Sequence, residues 1–267
     1  MVSKFSLVSF SLACFTLTAF LAAAQPPSPQ TDFREGSRTG QAPVVPPPKT
    51  NLVTPEMRGD IFMAKKMYLE AAEAYKEGSH NSAVLLNKTG IAYHQMLDFK
   101  TAEKYYRLAI RANPHYAEAI NNLGTIYYAH KSYRRAVNEY KRALRINPES
   151  GSMWSNLGTG YFARKDYAQA SECYQKALAL DPEVFESRSS QGVLLQERSV
   201  EERAKFHYYL AKTYAKAGMN ERALLYIRKS IEEGFKERKK YEQEPEFAPL
   251  KELPEFKQIL AMEQRVL

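Results

Sequence analysis

The sequence predicts an all-α fold, a solenoid of antiparallel helix pairs, and three observations carry that expectation. A skeleton of glycine, tyrosine and alanine returns every 34 residues through the middle of the chain. Within each period, apolar and small residues recur at three- and four-residue spacing, which lines one face of a helix. Strand-like alternation is nearly absent, so the fold classes built on sheets are set aside.

The skeleton is explicit. Asn113-Pro114, Asn147-Pro148 and Asp181-Pro182 are 34 residues apart. Gly90, Gly124 and Gly158 are each followed three residues later by Tyr93, Tyr127 and Tyr161. Twelve residues after each glycine come Ala102, Ala136 and Ala170, then Tyr106, Tyr140 and Tyr174, then Ala109, Ala143 and Ala177. Phe99, Tyr133 and Tyr167 stand before the second helix of each unit. Glycine on one helix and alanine on the other allow close approach, and the tyrosine rings fill the space between pairs. Asn or Asp before Pro ends the second helix, because proline disfavours helical backbone in its predecessor. The proline itself is expected in the first turn of the next helix. One helix pair cannot bury its own apolar face, so pairs must stack.

In chain order, residues 1–24 read as a signal peptide. Lys4 precedes a long uncharged run that ends in Ala22-Ala23-Ala24, a fit to cleavage before Gln25. The run is also long enough to span a bilayer uncleaved. Residues 25–51 are rich in Pro, Ser, Gln and Gly and are expected to form a disordered tether. A worn first repeat follows at 52–82, marked by Gly59, Phe62, Ala71 and Tyr75, and it leads the next by 31 residues. Three well-formed repeats occupy 83–182. An insertion is expected at 183–203, closed by a Ser199…Glu202 capping box. A degenerate last repeat at 204–235 keeps Ala211, Tyr214, Ala223 and Ile227. Residues 236–267 are charged, with Pro245, Pro249 and Pro254 as helix breakers and Phe247, Leu250, Phe256 and Leu260 available to pack. This end is expected to cap the solenoid.

The pattern resembles the tetratricopeptide repeat family over residues 52–235. It is carried best by NNLGTIYYAHKSYRRAVNEYKRALRINP and SNLGTGYFARKDYAQASECYQKALALDP. Trp154 holds the signature tryptophan position, where the other repeats have Leu86 and Ile120, and Thr89 stands in place of leucine beside Gly90. The resemblance implies a right-handed superhelical solenoid whose first helices line a concave, protein-binding face. It also implies that the residue before the Leu-Gly pair points into that groove: Lys88, Asn122, Asn156 and Tyr209. Residues three apart share a helix face, so Ile91, Thr125, Thr159 and Lys212 form a second row, and His94, Tyr128, Phe162 and Ala215 a third. The partner-binding candidates are Lys88, Asn122, Asn156, Thr125, Thr159, Tyr128 and Phe162. An amide offers both donor and acceptor to a peptide backbone, and Tyr128 and Phe162 would add apolar contact; the alternative is that the asparagines merely solvate an exposed face. A clamp for a terminal carboxylate looks incomplete, since Asn156 stands where a basic residue would help.

Composition narrows the function. Net charge is +8, but signs are interspersed without a basic tail, so nucleic acid is not an expected partner. The two cysteines, Cys14 and Cys173, leave one thiol after cleavage and no internal disulfide. The five histidines are scattered outside any metal-ligand spacing, and no nucleophile elbow or phosphate-binding glycine motif occurs. No catalytic residues, metal or cofactor are therefore expected. The sequence points to a non-enzymatic protein-interaction scaffold, secreted or periplasmic, that binds a protein or peptide partner of unknown identity. The alternative is a structural or assembly component of a cell-envelope, secretion or pilus apparatus. Membrane contact is expected only through an uncleaved N-terminal segment, and self-association stays open.

Overall fold

The computed structural model describes residues 53–186 and 199–262. The signal-peptide and tether expectations for 1–24 and 25–51 lie outside the described residues, as do 187–198 of the insertion. Five helix pairs follow one another: α1 Pro55–Ala64 with α2 Tyr68–Glu77, α3 Ala83–Gln95 with α4 Phe99–Ala112, and α5 Ala117–Ala129 with α6 Tyr133–Ile146. Then come α7 Gly151–Ala163 with α8 Tyr167–Leu180, and α9 Val200–Lys216 with α10 Asn220–Glu232. The chain closes with α11 Lys239–Gln243, a 3-10 turn Pro245–Leu250 and α12 Pro254–Ala261. No strand occurs among the described residues, and none of their helices is long and apolar enough to cross a membrane.

Capping chemistry sets the helix ends. Oxygens of Thr54, Ser82, Asp98, Ser150 and Ser199 accept the backbone N–H three residues on, each satisfying an amide the helix leaves open. The Asn-Pro and Asp-Pro steps work differently from the expectation. Proline does not open the next helix: α5 begins at Ala117, three residues after Pro114. Instead Asn113 Oδ1 accepts from His115 N–H at 3.0 Å and Asp181 Oδ1 from Glu183 N–H at 2.9 Å, so the side chain before proline folds a turn of its own.

Within each pair the turn is uniform. Lys66, Leu97, Lys131 and Lys165 have φ between 57 and 65°, and Gly218 holds the corresponding place at 74°. The next amide then reaches back five residues, as in Ser132 N–H to Tyr127 O at 2.8 Å and Asp166 N–H to Tyr161 O at 3.0 Å. Left-handed backbone satisfies the open carbonyls in a three-residue connection, and in four of the five pairs a side-chain-bearing residue adopts it.

The core repeats with the sequence. Tyr75, Tyr106, Tyr140 and Tyr174 are buried to 2% exposure or less, and each ring lies over the glycine of its partner helix. A methyl placed on Gly59, Gly90, Gly124 or Gly158 would sit 2.2–2.7 Å from that ring, closer than any atom pair tolerates. Glycine is required there by the tyrosine.

The two ends differ. In the last described segment, Tyr241, Phe247, Leu250, Phe256 and Ile259 are buried at 2% or below, with the 3-10 turn packed on α9 and α12 on α10. Pro245 and Pro254 open helical segments rather than breaking them, since the first helical position needs no amide hydrogen. At the other end Met57, Ile61 and Leu69 stay about half exposed.

Candidate functional site

The first helices α3, α5 and α7 touch each other more extensively than the second helices α4, α6 and α8 do. The first-helix side is therefore the inner face of the curve. Along it runs a chain of four amides. Asn156 Nδ2 donates to Asn121 Oδ1 at 3.1 Å, Asn121 Nδ2 to Asn122 Oδ1 at 3.5 Å, and Asn122 Nδ2 to Asn87 Oδ1 at 3.0 Å. All four are buried, Asn122 at 5% and Asn156 at 1%. This corrects the expectation that Asn122 and Asn156 stand open in a groove. Their amides stitch three repeats together, because a buried polar group needs a partner and the neighbouring repeat supplies one. Asn87 and Asn121 were missed by counting in steps of 34; the bonds run between residues 35 apart, one position out of register.

Lys88 is also engaged. Its Nζ lies 2.8 Å from Glu56 Oε1 and 2.8 and 2.9 Å from the two oxygens of Asp60, and Asp60 Oδ1 further accepts from the Tyr75 hydroxyl at 2.7 Å. Burial alone would raise the Asp60 pKa, but the hydrogen bonds from Lys88 and Tyr75 hold it below the ordinary carboxylate range. Lys88 thus ties the second repeat to the first instead of presenting a cation to a ligand. Thr125 and Thr159 are buried as well: Thr125 Oγ1 donates to Asn121 O at 3.2 Å, and Thr159 Oγ1 accepts from Tyr174 OH at 3.5 Å.

Tyr128 and Phe162 are brought together at a cleft of about 510 Å³ where α5, α7 and the starts of α6 and α8 meet the start of α9. Tyr133 and Tyr167 complete its aromatic wall, Tyr128 packing on Tyr133 at 5.3 Å and Phe162 on Tyr167 at 5.3 Å. Lys131 and Lys165, the left-handed residues of two turns, stand on the rim with Lys205, whose Nζ lies 4.2 Å above the Tyr167 ring. Glu201 and Glu202 close the far side. The cleft exists because α9 leaves the regular stack. It touches α8 far less than α7 touches α6, and Phe206 and Tyr209 bridge the gap by packing on Phe162 at 5.5 and 5.9 Å. Tyr209 occupies the register of Asn122 and Asn156, so the amide chain stops where the aromatic cluster begins. The lysines could not be read beforehand, since their role depends on turn geometry and on the displacement of α9.

Among the described residues no group of three His, Cys, Asp or Glu side chains could hold a metal ion. His94 is half-buried, and its desolvation lowers its pKa. Burial likewise lowers that of His207, against the opposing pull of Glu233 at 2.7 Å.

Stacked helix pairs with a shared inner face define a helical-repeat protein. The tetratricopeptide repeat matches at residues 85–116, 117–150 and 152–184, and the chain is a tetratricopeptide-repeat protein. No curated protein matches it. Among solved structures it is similar to MamA, at 21% identity over 71% of this chain and 93% of that one, with a TM-score of 0.46. It is also similar to MamA 41-end from Desulfovibrio magneticus RS-1, at 19% over 65% and 89%, TM-score 0.45. A third is the first TPR of Spaghetti (RPAP3) bound to the HSP90 peptide SRMEEVD, at 21% over 41% and 84%, TM-score 0.37.

Proposed function

We propose that this chain is a non-catalytic interaction scaffold exported from the cytoplasm, which takes a peptide or protein segment into the aromatic–lysine cleft. The observation that carries this reading is the cleft itself: four aromatic rings and three lysines converge where the regular stack breaks. Aromatic side chains are enriched at protein interfaces, where a polar rim surrounds the buried centre. In this reading Tyr128 and Phe162 make the contact, with Lys131, Lys165 and Lys205. Asn122, Asn156, Thr125 and Thr159 hold the inner face in shape, and Lys88 fixes the first repeat to the second. Export, to the periplasm or beyond, rests on residues 1–24.

The test is a crosslinked pull-down from the native envelope fraction, comparing wild type with Tyr128→Ala, Lys131→Glu and Lys165→Glu combined. A partner held by wild type and lost by the folded triple variant supports the reading, and a partner retained by both overturns it. N-terminal sequencing of the native chain, expected to begin at Gln25, checks export separately.

The exposed apolar residues Met57, Ile61 and Leu69 at the N-terminal end favour a second reading, a structural or assembly component whose repeats associate with further copies. That reading expects concentration-dependent association in sedimentation, abolished by Met57→Lys with Ile61→Lys.

A further inference from the structure

The outer face carries a second cleft, independent of the inner-face reading. It has a volume of about 440 Å³ and lies between α6 and α8, with α7 beneath. Leu144, Leu157 and Cys173 form a buried apolar floor beside Trp154. Lys141, Arg145 and Lys176 stand on its rim, with Lys141 Nζ 5.4 Å above the Tyr161 ring and Lys176 Nζ 4.4 Å above Trp154. Trp154 is fixed by donating to Pro148 O at 2.8 Å. Burial first, and the nearby Glu172 carboxylate, push the Cys173 thiol up to about 12, so it belongs to the floor and is not a nucleophile.

The preceding repeat shows what is unusual here. Thirty-four positions earlier, Lys141 corresponds to Arg107, Lys176 to Arg142 and Trp154 to Ile120. Arg107 is neutralised by Glu103 at 2.8 Å and also donates to Tyr127 OH at 2.7 Å, while Arg142 reaches Glu139 at 3.5 Å. The positions matching Glu103 and Glu139 are Val137 and Cys173. Both carboxylates have become apolar while the cations remain. Among the described residues Lys141, Arg145 and Lys176 have no carboxylate within ion-pair distance, and Glu172 is the one acid lining the cleft.

We propose that this outer cleft docks an acidic segment of a protein partner, seating one aliphatic side chain on the Trp154–Cys173 floor between the three cations. The missing carboxylates of the repeat define what the partner supplies. Acidic side chains meet Lys141, Arg145 and Lys176, and the aliphatic group covers the floor where Cys173 stands at the position of Glu139 one repeat earlier.

Trp154 is the only tryptophan in the chain, so its emission reports directly on the cleft. The probe is a synthetic Glu/Asp-rich peptide with one central Leu, titrated into the full chain at low salt. A saturable change in Trp154 emission is expected. It should weaken more than about ten-fold when Gln and Asn replace the acids, or when Lys141→Glu and Arg145→Glu are introduced together. Both substitutions are on exposed residues and leave Trp154 and Lys176 in place, and circular dichroism confirms the fold. Equal response to the neutral peptide, undiminished binding by the double variant, or no saturable change overturns the proposal. A response to phosphatidylglycerol vesicles without one to the peptide also overturns it, in favour of a lipid surface.

Discussion

The middle repeats and the last helix pair solve the same packing problem with different residues. In α3 to α8, Gly90, Gly124 and Gly158 each meet a tyrosine ring of the partner helix, and the pairs stack at a constant register. In α9 and α10 the corresponding positions are Ala211 and Ile227, both fully buried, so a methyl replaces the missing hydrogen and a smaller side chain replaces the ring. The pair interior is conserved in volume, but the packing outside it is not. Phe206 wedges between Phe162 and Tyr174 at 5.5 and 5.6 Å, Phe185 between Tyr174 and Tyr214 at 5.6 and 6.1 Å, and Tyr209 stacks on Tyr167 at 5.0 Å. A repeat can therefore keep its own helix–helix lock while changing how it sits on its neighbour, and the inner cleft is the result of that freedom.

The comparison breaks most severely at the wedge. Phe206→Ala removes the ring that joins α9 to α7 and α8, and it should lower stability by about 3–4 kcal/mol in urea unfolding. If the last pair docks as a separate unit, the transition also loses its single cooperative step. A smaller effect is expected in the middle. Gly124→Ala places a methyl 2.7 Å from the Tyr140 ring and 3.3 Å from Ala136 O, costing about 2–3 kcal/mol. Adding Tyr140→Ile recreates the alanine–isoleucine combination of the last pair and should recover at least half of the loss. A double variant no better than the sum of its parts would show that the two locks are not interchangeable.

Much of this was legible in the sequence, because the period constrains it. The Gly–Tyr spacing at 90/106, 124/140 and 158/174 is a contact that can be read as arithmetic, and it located the helices and their order. The binding candidates were less legible for the same reason. Counting at 34 aligned Asn122 with Asn156 but hid that each bonds across a 35-residue offset, to Asn87 and Asn121. Burial was not readable from type, since Asn on an inner face serves a ligand or a neighbouring repeat equally well. Lys88 needed Asp60 and Glu56, residues of a worn repeat, to reveal its engagement. The displacement of α9 was invisible, as it follows from aromatic contacts made across an insertion.

The middle repeats and the last pair respond to acid with the same sign, each through one histidine. His94, half-buried and 3.3 Å from the Tyr106 hydroxyl, has a pKa below its ordinary 6.5 because desolvation disfavours the cation. The unfolded chain then binds the proton first, so stability is full above pH of about 7.5 and falls as pH drops through about 6.5. Asp60, held below 3.8, titrates in a separate and lower window. His207 contributes with the same sign, so His94→Gln should flatten the decline between about pH 7.5 and 5.5 without abolishing it. An unchanged profile would place the pH response elsewhere.

The turns yield the smallest effect and the cleanest contrast. The last pair closes with Gly218 at φ 74°, whereas the second closes with Leu97 at φ 62°, 66% exposed and packed on little. A side chain in left-handed backbone costs about 1–2 kcal/mol, partly offset by the greater freedom glycine brings to the unfolded chain. Leu97→Gly should therefore stabilise the chain by about 0.5–1 kcal/mol, read as a higher urea midpoint at unchanged slope. The same substitution at Lys165 should give a similar gain while removing one cation from the inner cleft. Turn strain that yields no gain at Leu97 but does at Lys165 would mean that repulsion among the cleft lysines, rather than backbone geometry, is what the middle repeats sustain.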